Sequence, residues 1–175
     1  TAAPAGAPGK RKLSTEELVG RVRDGDTEKK KAAAEKLGDR AADGAEACAA
    51  IVQAGGIRPL VDLARDGSGM GKQWAAYALS ELSARGFSSN IFEAGGIGPL
   101  VELARSGGRD AREWAAQALG YLARLADASK AIKEAGGVGA LIELVRSGTA
   151  GAQIAAWALG NLAGHGPAYC TAIRQ

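Results

Sequence analysis

The sequence restates itself with a period of about 40 residues, and this constrains the fold more than any other feature. From Ile51 it reads IVQAGGIRPLVDLARDG, from Ile91 IFEAGGIGPLVELARSG and from Ile132 IKEAGGVGALIELVRSG. The Ala-Gly-Gly triplets begin at Ala54, Ala94 and Ala135, so the spacing is 40 and then 41 residues. A second block keeps the same phase: WAAYALSELS from Trp74, WAAQALGYLA from Trp114 and IAAWALGNLA from Ile154. Repeats of this length indicate a solenoid in which each unit buries its apolar face only against its neighbours.

Punctuation within each unit predicts three helices. A short helix ends at Gly55, Gly95 or Gly136, because glycine enters the left-handed conformation that terminates a helix without steric cost. A second helix follows at once and tolerates Pro59 and Pro99 in its first turn, where backbone amides have no intrahelical partner. It stops at Gly67, Gly107 or Gly148, and a longer third helix begins. No segment of four to eight residues alternates apolar with polar as a half-buried strand would, so the expected class is all-α. Apolar residues make up 46% of the chain but aromatics only 5%, which implies closely spaced helices packed through Ala, Leu, Ile and Val.

The phase extends beyond the three full copies. Leu18-Val19 precedes Leu60-Val61 by 42 residues and Leu37 precedes Leu79 by the same interval, so residues 14–44 form a partial repeat lacking its opening helix. Ser14-Thr15-Glu16-Glu17 supplies a capping box for its first helix. Full repeats then span 45–85, 86–126 and 127–164, and CTAIRQ from Cys170 matches CAAIVQ from Cys48, so a further repeat begins within 165–175. Residues 1–13, beginning TAAPAGAPGKRK, lack acids and periodicity and read as a disordered or linker tail. A start at Thr1 without methionine suggests that sequence upstream has been removed or left out.

This pattern resembles the armadillo repeat over roughly residues 14–175. The resemblance is carried by Ala-Gly-Gly-Ile/Val, Pro-Leu-Val-x-Leu and Ala-Ala-x-Ala-Leu-x-x-Leu, three copies of which agree in phase. It implies a right-handed α-solenoid of armadillo-type three-helix repeats whose third helices line a concave groove. A HEAT solenoid, with two helices per unit, leaves the short Gly-Gly-terminated helix unexplained.

At 100° per residue, Ala75, Ala78, Leu79 and Leu82 fall on the core side of the third helix, while Tyr77, Ser80 and Glu81 fall outside. The same split places Gln117, Tyr121, Trp157 and Asn161 outward. In proteins of this family a Trp-x-x-x-Asn pair in successive repeats holds an extended peptide, as in nuclear-import adaptors. Asn donates to and accepts from a peptide backbone, and Trp surfaces hold aliphatic stems and cations. Here the positions of that ladder hold Tyr77 and Glu81, then Gln117 and Tyr121, and only then Trp157 and Asn161. Gln73, Glu113 and Gln153 form the row one turn earlier. These nine residues are the candidate partner-binding set, and a basic or polar segment suits them. Trp74 and Trp114 lie between the core and groove faces, where packing between repeats is expected.

Composition and motifs argue against chemistry. GSGMGKQ from Gly67 superficially resembles a phosphate loop, but Asp66 and Gln73 stand where Gly and Ser or Thr are required and no strand precedes it; it reads as a flexible inter-helix turn. His165 is the only histidine, which leaves metal clusters and a Ser-His-Asp triad little to draw on. Cys48 and Cys170 share one repeat position, filled by Ser88 and Ser129 between them, and are read as small buried side chains too far apart to bridge. No cofactor, metal site or enzymatic activity is expected.

Net charge is +3, yet Lys10, Arg11 and Lys12 account for it, since the basic residues after position 13 equal the 19 acidic ones. Nucleic-acid binding is therefore disfavoured, and no run is long and apolar enough to cross a membrane. The leading expectation is a non-catalytic scaffold that binds a partner protein within a larger assembly. The rivals are an import-adaptor-like receptor for a basic peptide, and a nucleic-acid or membrane-surface tether through Lys10–Lys12 and Lys29–Lys31. Isolated cysteines suit the cytoplasm or nucleus, or an organelle interior after presequence removal.

Overall fold

A computed structural model of the chain describes residues 12–149 and 151–164. The tail up to Arg11 and the proposed further repeat at 165–175, with His165 and Cys170, lie outside the described residues. The described residues form helices and connections with no strand, and their peptide bonds are all trans.

Two helices come first: α1 (Thr15–Asp24) and α2 (Thr27–Asp43). Three follow in each later unit: α3 (Ala45–Gln53), α4 (Ile57–Asp66) and α5 (Gly69–Ala84); α6 (Ser88–Glu93), α7 (Ile97–Ser106) and α8 (Arg109–Leu122); α9 (Ala126–Glu134), α10 (Gly137–Arg146) and α11 (Gly151–Ala163). The predicted capping box is present: Ser14 N–H donates to Glu17 Oε2 at 2.8 Å and Glu17 N–H to Ser14 Oγ at 3.2 Å. Asp26 caps α2 by accepting from Lys29 N–H at 2.9 Å. Ser68 caps α5 through Gly71 N–H at 3.3 Å, so GSGMGK is no free loop: from Gly69 onward it is the first turn of a helix.

The Gly-Gly pair solves two separate problems. Its first member turns the chain, with φ of 72° at Gly55, 76° at Gly95 and 77° at Gly136, a region where any β-carbon is strained. The second member makes room. A β-carbon on Gly56, Gly96 or Gly137 would approach Cγ2 of Ile51, Ile91 or Ile132 to 2.7, 2.6 or 2.5 Å. Val19, Val61 and Val101 from the preceding second helices reach the same three glycines. Each Gly-Gly is therefore where one repeat locks onto the previous one.

The core follows the predicted stripe. Leu37, Leu60, Leu79, Leu82, Leu100, Leu119, Leu122 and Leu141 are fully buried, as are Ala75, Ala78, Ala115 and Ala118. The third helices α2, α5, α8 and α11 pack in sequence as nearest neighbours. Ala76 and Ala116 are fully buried whereas Ala156, at the same repeat position on α11, is exposed. That position therefore lies against the next third helix, and its small side chain lets the helices approach closely. Ser80 departs from the outward placement expected of it: it is fully buried and donates to the Tyr77 carbonyl at 2.9 Å.

Candidate functional site: the third-helix face

Two aromatic side chains on this face lie across to the preceding third helix and rest on its glycines. A β-carbon on Gly38 of α2 would fall 2.8 Å from Tyr77 Cε1, and one on Gly120 of α8 would fall 2.6 Å from Trp157 Cε3. Both are inside van der Waals contact, so each ring lies directly on the backbone of the neighbouring repeat. Gly38, Ser80 and Gly120 share one repeat position.

The rings form two groups. Trp74 stacks on Trp114 across the α5–α8 boundary at 5.8 Å between centroids, and Tyr77 lies 4.9 Å from Trp114 and 6.0 Å from Trp74. The inter-repeat packing expected of the two tryptophans is therefore present. Further along, Tyr121 meets Trp157 edge to face at 4.9 Å. Trp157 retains 40% of its surface exposed, and Tyr77 and Tyr121 are half-buried.

The polar candidates divide by whether they are already engaged. Asn161, half-buried, donates one Nδ2–H to the Gly120 carbonyl at 2.9 Å, which fixes the amide against the preceding repeat. Gln73 Nε2 donates to Asp110 across the same kind of boundary at 3.2 Å. Glu81 is held by Arg85 at 2.5 Å, and the other guanidinium nitrogen of Arg85 donates to the Ala42 carbonyl at 2.7 Å. Glu113 pairs with Arg109 at 3.4 Å. Gln117 is half-buried and Gln153 exposed. The nine candidates thus lie on α5, α8 and α11, with four of them already in polar contacts within the protein.

Electrostatics vary along the face. On α2 the ladder positions hold Glu35 and Asp39, with Asp43 one turn on, and none of the three has an ion-pair partner among the described residues. Burial pushes the Tyr77 phenol pKa up; Glu81, Asp39 and Asp43 add to the rise and Arg85 opposes it. The phenol consequently sits in a net negative field. Over α8 and α11, Gln117, Tyr121, Gln153, Trp157 and Asn161 are uncharged, and α11 has no charged residue at all.

The basic run Lys29-Lys30-Lys31 is largely neutralised: Lys29 pairs with Asp26 at 2.9 Å and Lys31 with Glu28 at 2.5 Å. No group of His, Cys, Asp and Glu suited to a metal ion occurs among the described residues, nor is any helix there long and apolar enough to cross a membrane alone. Open clefts do occur elsewhere, between successive repeats. One is lined by Arg23, Lys30, Arg58, Pro59 and Asp62, the next by the equivalent Arg65, Lys72, Pro99 and Glu102. None of the nine candidates lines either cleft.

A hydrogen-bond relay that composition alone does not reveal links the units. Cys48 Sγ donates to the Ala41 carbonyl at 3.3 Å, Ser88 Oγ to that of Ser83 at 3.4 Å and Ser129 Oγ to that of Ala123 at 2.6 Å. Donors and acceptors keep one register, so each first helix satisfies the same carbonyl near the end of the preceding third helix. The repeated small residue at this position was the visible signal; its donor role required the acceptor's location.

Comparison with known proteins agrees with this architecture. An engineered protein of known crystal structure superposes with a TM-score of 0.83 at 35% identity, over 91% of this chain and 66% of its own. A second engineered protein gives 0.84 at 35% identity over 91% of this chain and 40% of its own. A designed armadillo repeat protein in complex with the peptide (KR)4 gives 0.82 at 23% identity, over 93% of this chain and 70% of its own. The chain thus spans just under two thirds of the first engineered protein and less than half of the second. No family model and no curated protein matches the sequence. The fold is an all-α solenoid of armadillo-type repeats.

Proposed function

We propose that this chain is a non-catalytic scaffold that binds an extended segment of another protein along α2, α5, α8 and α11, as a docking element of a larger assembly. The observation that carries the reading is the row of partly exposed rings on successive third helices, Tyr77, Tyr121 and Trp157, each fixed in orientation by a neighbouring repeat. Rings immobilised beforehand lose little further freedom when a ligand covers them, so more of the contact energy appears as affinity. Designed armadillo proteins of the same fold include one in complex with a peptide and one made for modular peptide recognition. The import-adaptor version of this reading is less favoured, because its asparagine ladder is reduced to Asn161 alone, already bonded to the Gly120 carbonyl.

Selection of unstructured peptides from a display library against the purified chain tests the reading. Selected peptides are expected to lose affinity for a Gln117→Arg, Gln153→Arg double variant, which alters the face without touching a fully buried residue, and for Tyr121→Ala. Peptides that bind both variants as tightly as wild type would overturn it.

A further inference from the structure

We infer that the groove is polarised along its axis: it takes a segment with Lys or Arg over α2 and α5 and an uncharged aromatic or aliphatic residue over α8 and α11. This rests on the proposed peptide-binding face and adds the order and spacing of the ligand's side chains.

Glu35, Asp39 and Asp43 form a single-sign edge along α2 with no ion-pair partner among the described residues; Lys31, one turn before Glu35, is paired with Glu28, and the nearby Glu81 is compensated by Arg85. Tyr77 lies between these acids and the Trp74–Trp114 stack, its ring seated on Gly38. Its ring contacts both Gly38 and Trp114, and Asp39, Asp43 and Glu81 put it in a negative field, so a cation here is met chiefly by carboxylates. The other half has the opposite chemistry. Tyr121 and Trp157 meet edge to face, Trp157 is 40% exposed, and no charge stands on α11. A cation placed there would lose hydration, and the one carboxylate of this half of the face, Glu113, is already paired with Arg109.

The spacing follows from the fold. The Asp39–Tyr77 locus belongs to the α2–α5 boundary and the Tyr121–Trp157 pair to the α8–α11 boundary, two helix spacings apart. Helices pack about 8–10 Å apart, giving about 16–20 Å, or about five or six residues of extended chain. A uniformly basic segment would match only the first half of the face, and a uniformly apolar one only the second.

Fluorescence anisotropy with labelled unstructured peptides separates the possibilities. The set pairs one Lys with one Leu or Tyr at separations of about two and about six residues, in both sequence orders, beside an all-Lys and an uncharged control. One order at the longer separation is expected to bind best, and Asp39→Asn with Asp43→Asn to weaken that peptide about five- to tenfold while leaving the uncharged control unchanged. If the all-Lys peptide binds best, or the double variant weakens nothing, the polarity is wrong while the binding face stands. Should no peptide in the set bind at about 1 mM, the binding face itself is overturned along with its polarity.

Discussion

Gly120 permits the indole of Trp157 to lie on the backbone of α8, and the next glycine in that register, Gly160, has no described neighbour within 4 Å. The two residues share a repeat position but differ in what a side chain would meet. Gly120→Val should displace the indole and cost about 1–3 kcal/mol, whereas Gly160→Ala should be neutral or stabilising by up to about 1 kcal/mol through helix propensity. Urea unfolding of both variants checks the contrast. Ser129→Ala leaves the Ala123 carbonyl without its side-chain donor in a buried place and is expected to cost about 1–3 kcal/mol, with Ser129→Cys milder because Cys48 fills the equivalent role. At this scale the sequence was only partly legible. The helical wheel placed Leu79 and Leu82 correctly because burial in a helix is a matter of angle. It misplaced Ser80, which is fully buried, and missed the bond from Asn161 to the Gly120 carbonyl of the preceding third helix, because a wheel for one helix contains no neighbour.

Individual elements were more legible, since their signals are local. The Ser14–Glu17 box and the helix-ending glycines need only a few adjacent residues, and the structure contains them as read. Asp26 is a cap of the same kind. The hydrogen bond from Lys29 N–H holds its carboxyl below the ordinary aspartate value of 3.8. A carboxylate with a lowered folded pKa contributes stability that is complete above its unfolded pKa and is lost as pH falls through the folded one. The chain should therefore lose stability on acidification below about pH 4, and Asp26→Asn, which keeps a capping oxygen but cannot titrate, should lose less. Thermal midpoints of the two proteins from about pH 6 to about pH 2 measure the difference. Ser14→Ala removes one half of a reciprocal pair and should cost about 1 kcal/mol near neutral pH.

Across the whole molecule, stability and recognition use the same contacts. Trp114 stacks on Trp74, lies against Tyr77 and packs on the core, so it joins one repeat to the next beneath the binding face. Trp114→Ala is expected to cost about 3 kcal/mol and to weaken peptide binding as well, because Tyr77 loses one of its two supports. Circular dichroism during denaturation reads the first effect, and anisotropy with the selected peptides reads the second. The solenoid itself was legible because three copies in phase repeat one packing solution. Its electrical asymmetry was not. Net charge averages over the chain, and only the ion-pair geometry separates the compensated Glu81 from Glu35, Asp39 and Asp43, which have no ion-pair partner among the described residues. The most direct test of the account is a crystal structure of the chain with a bound peptide. It should contain one extended main chain crossing α2, α5, α8 and α11, with a cationic side chain beside Asp39 and an uncharged one at Tyr121 and Trp157. A peptide seated instead in the inter-repeat clefts at Pro59 or Pro99 would contradict it.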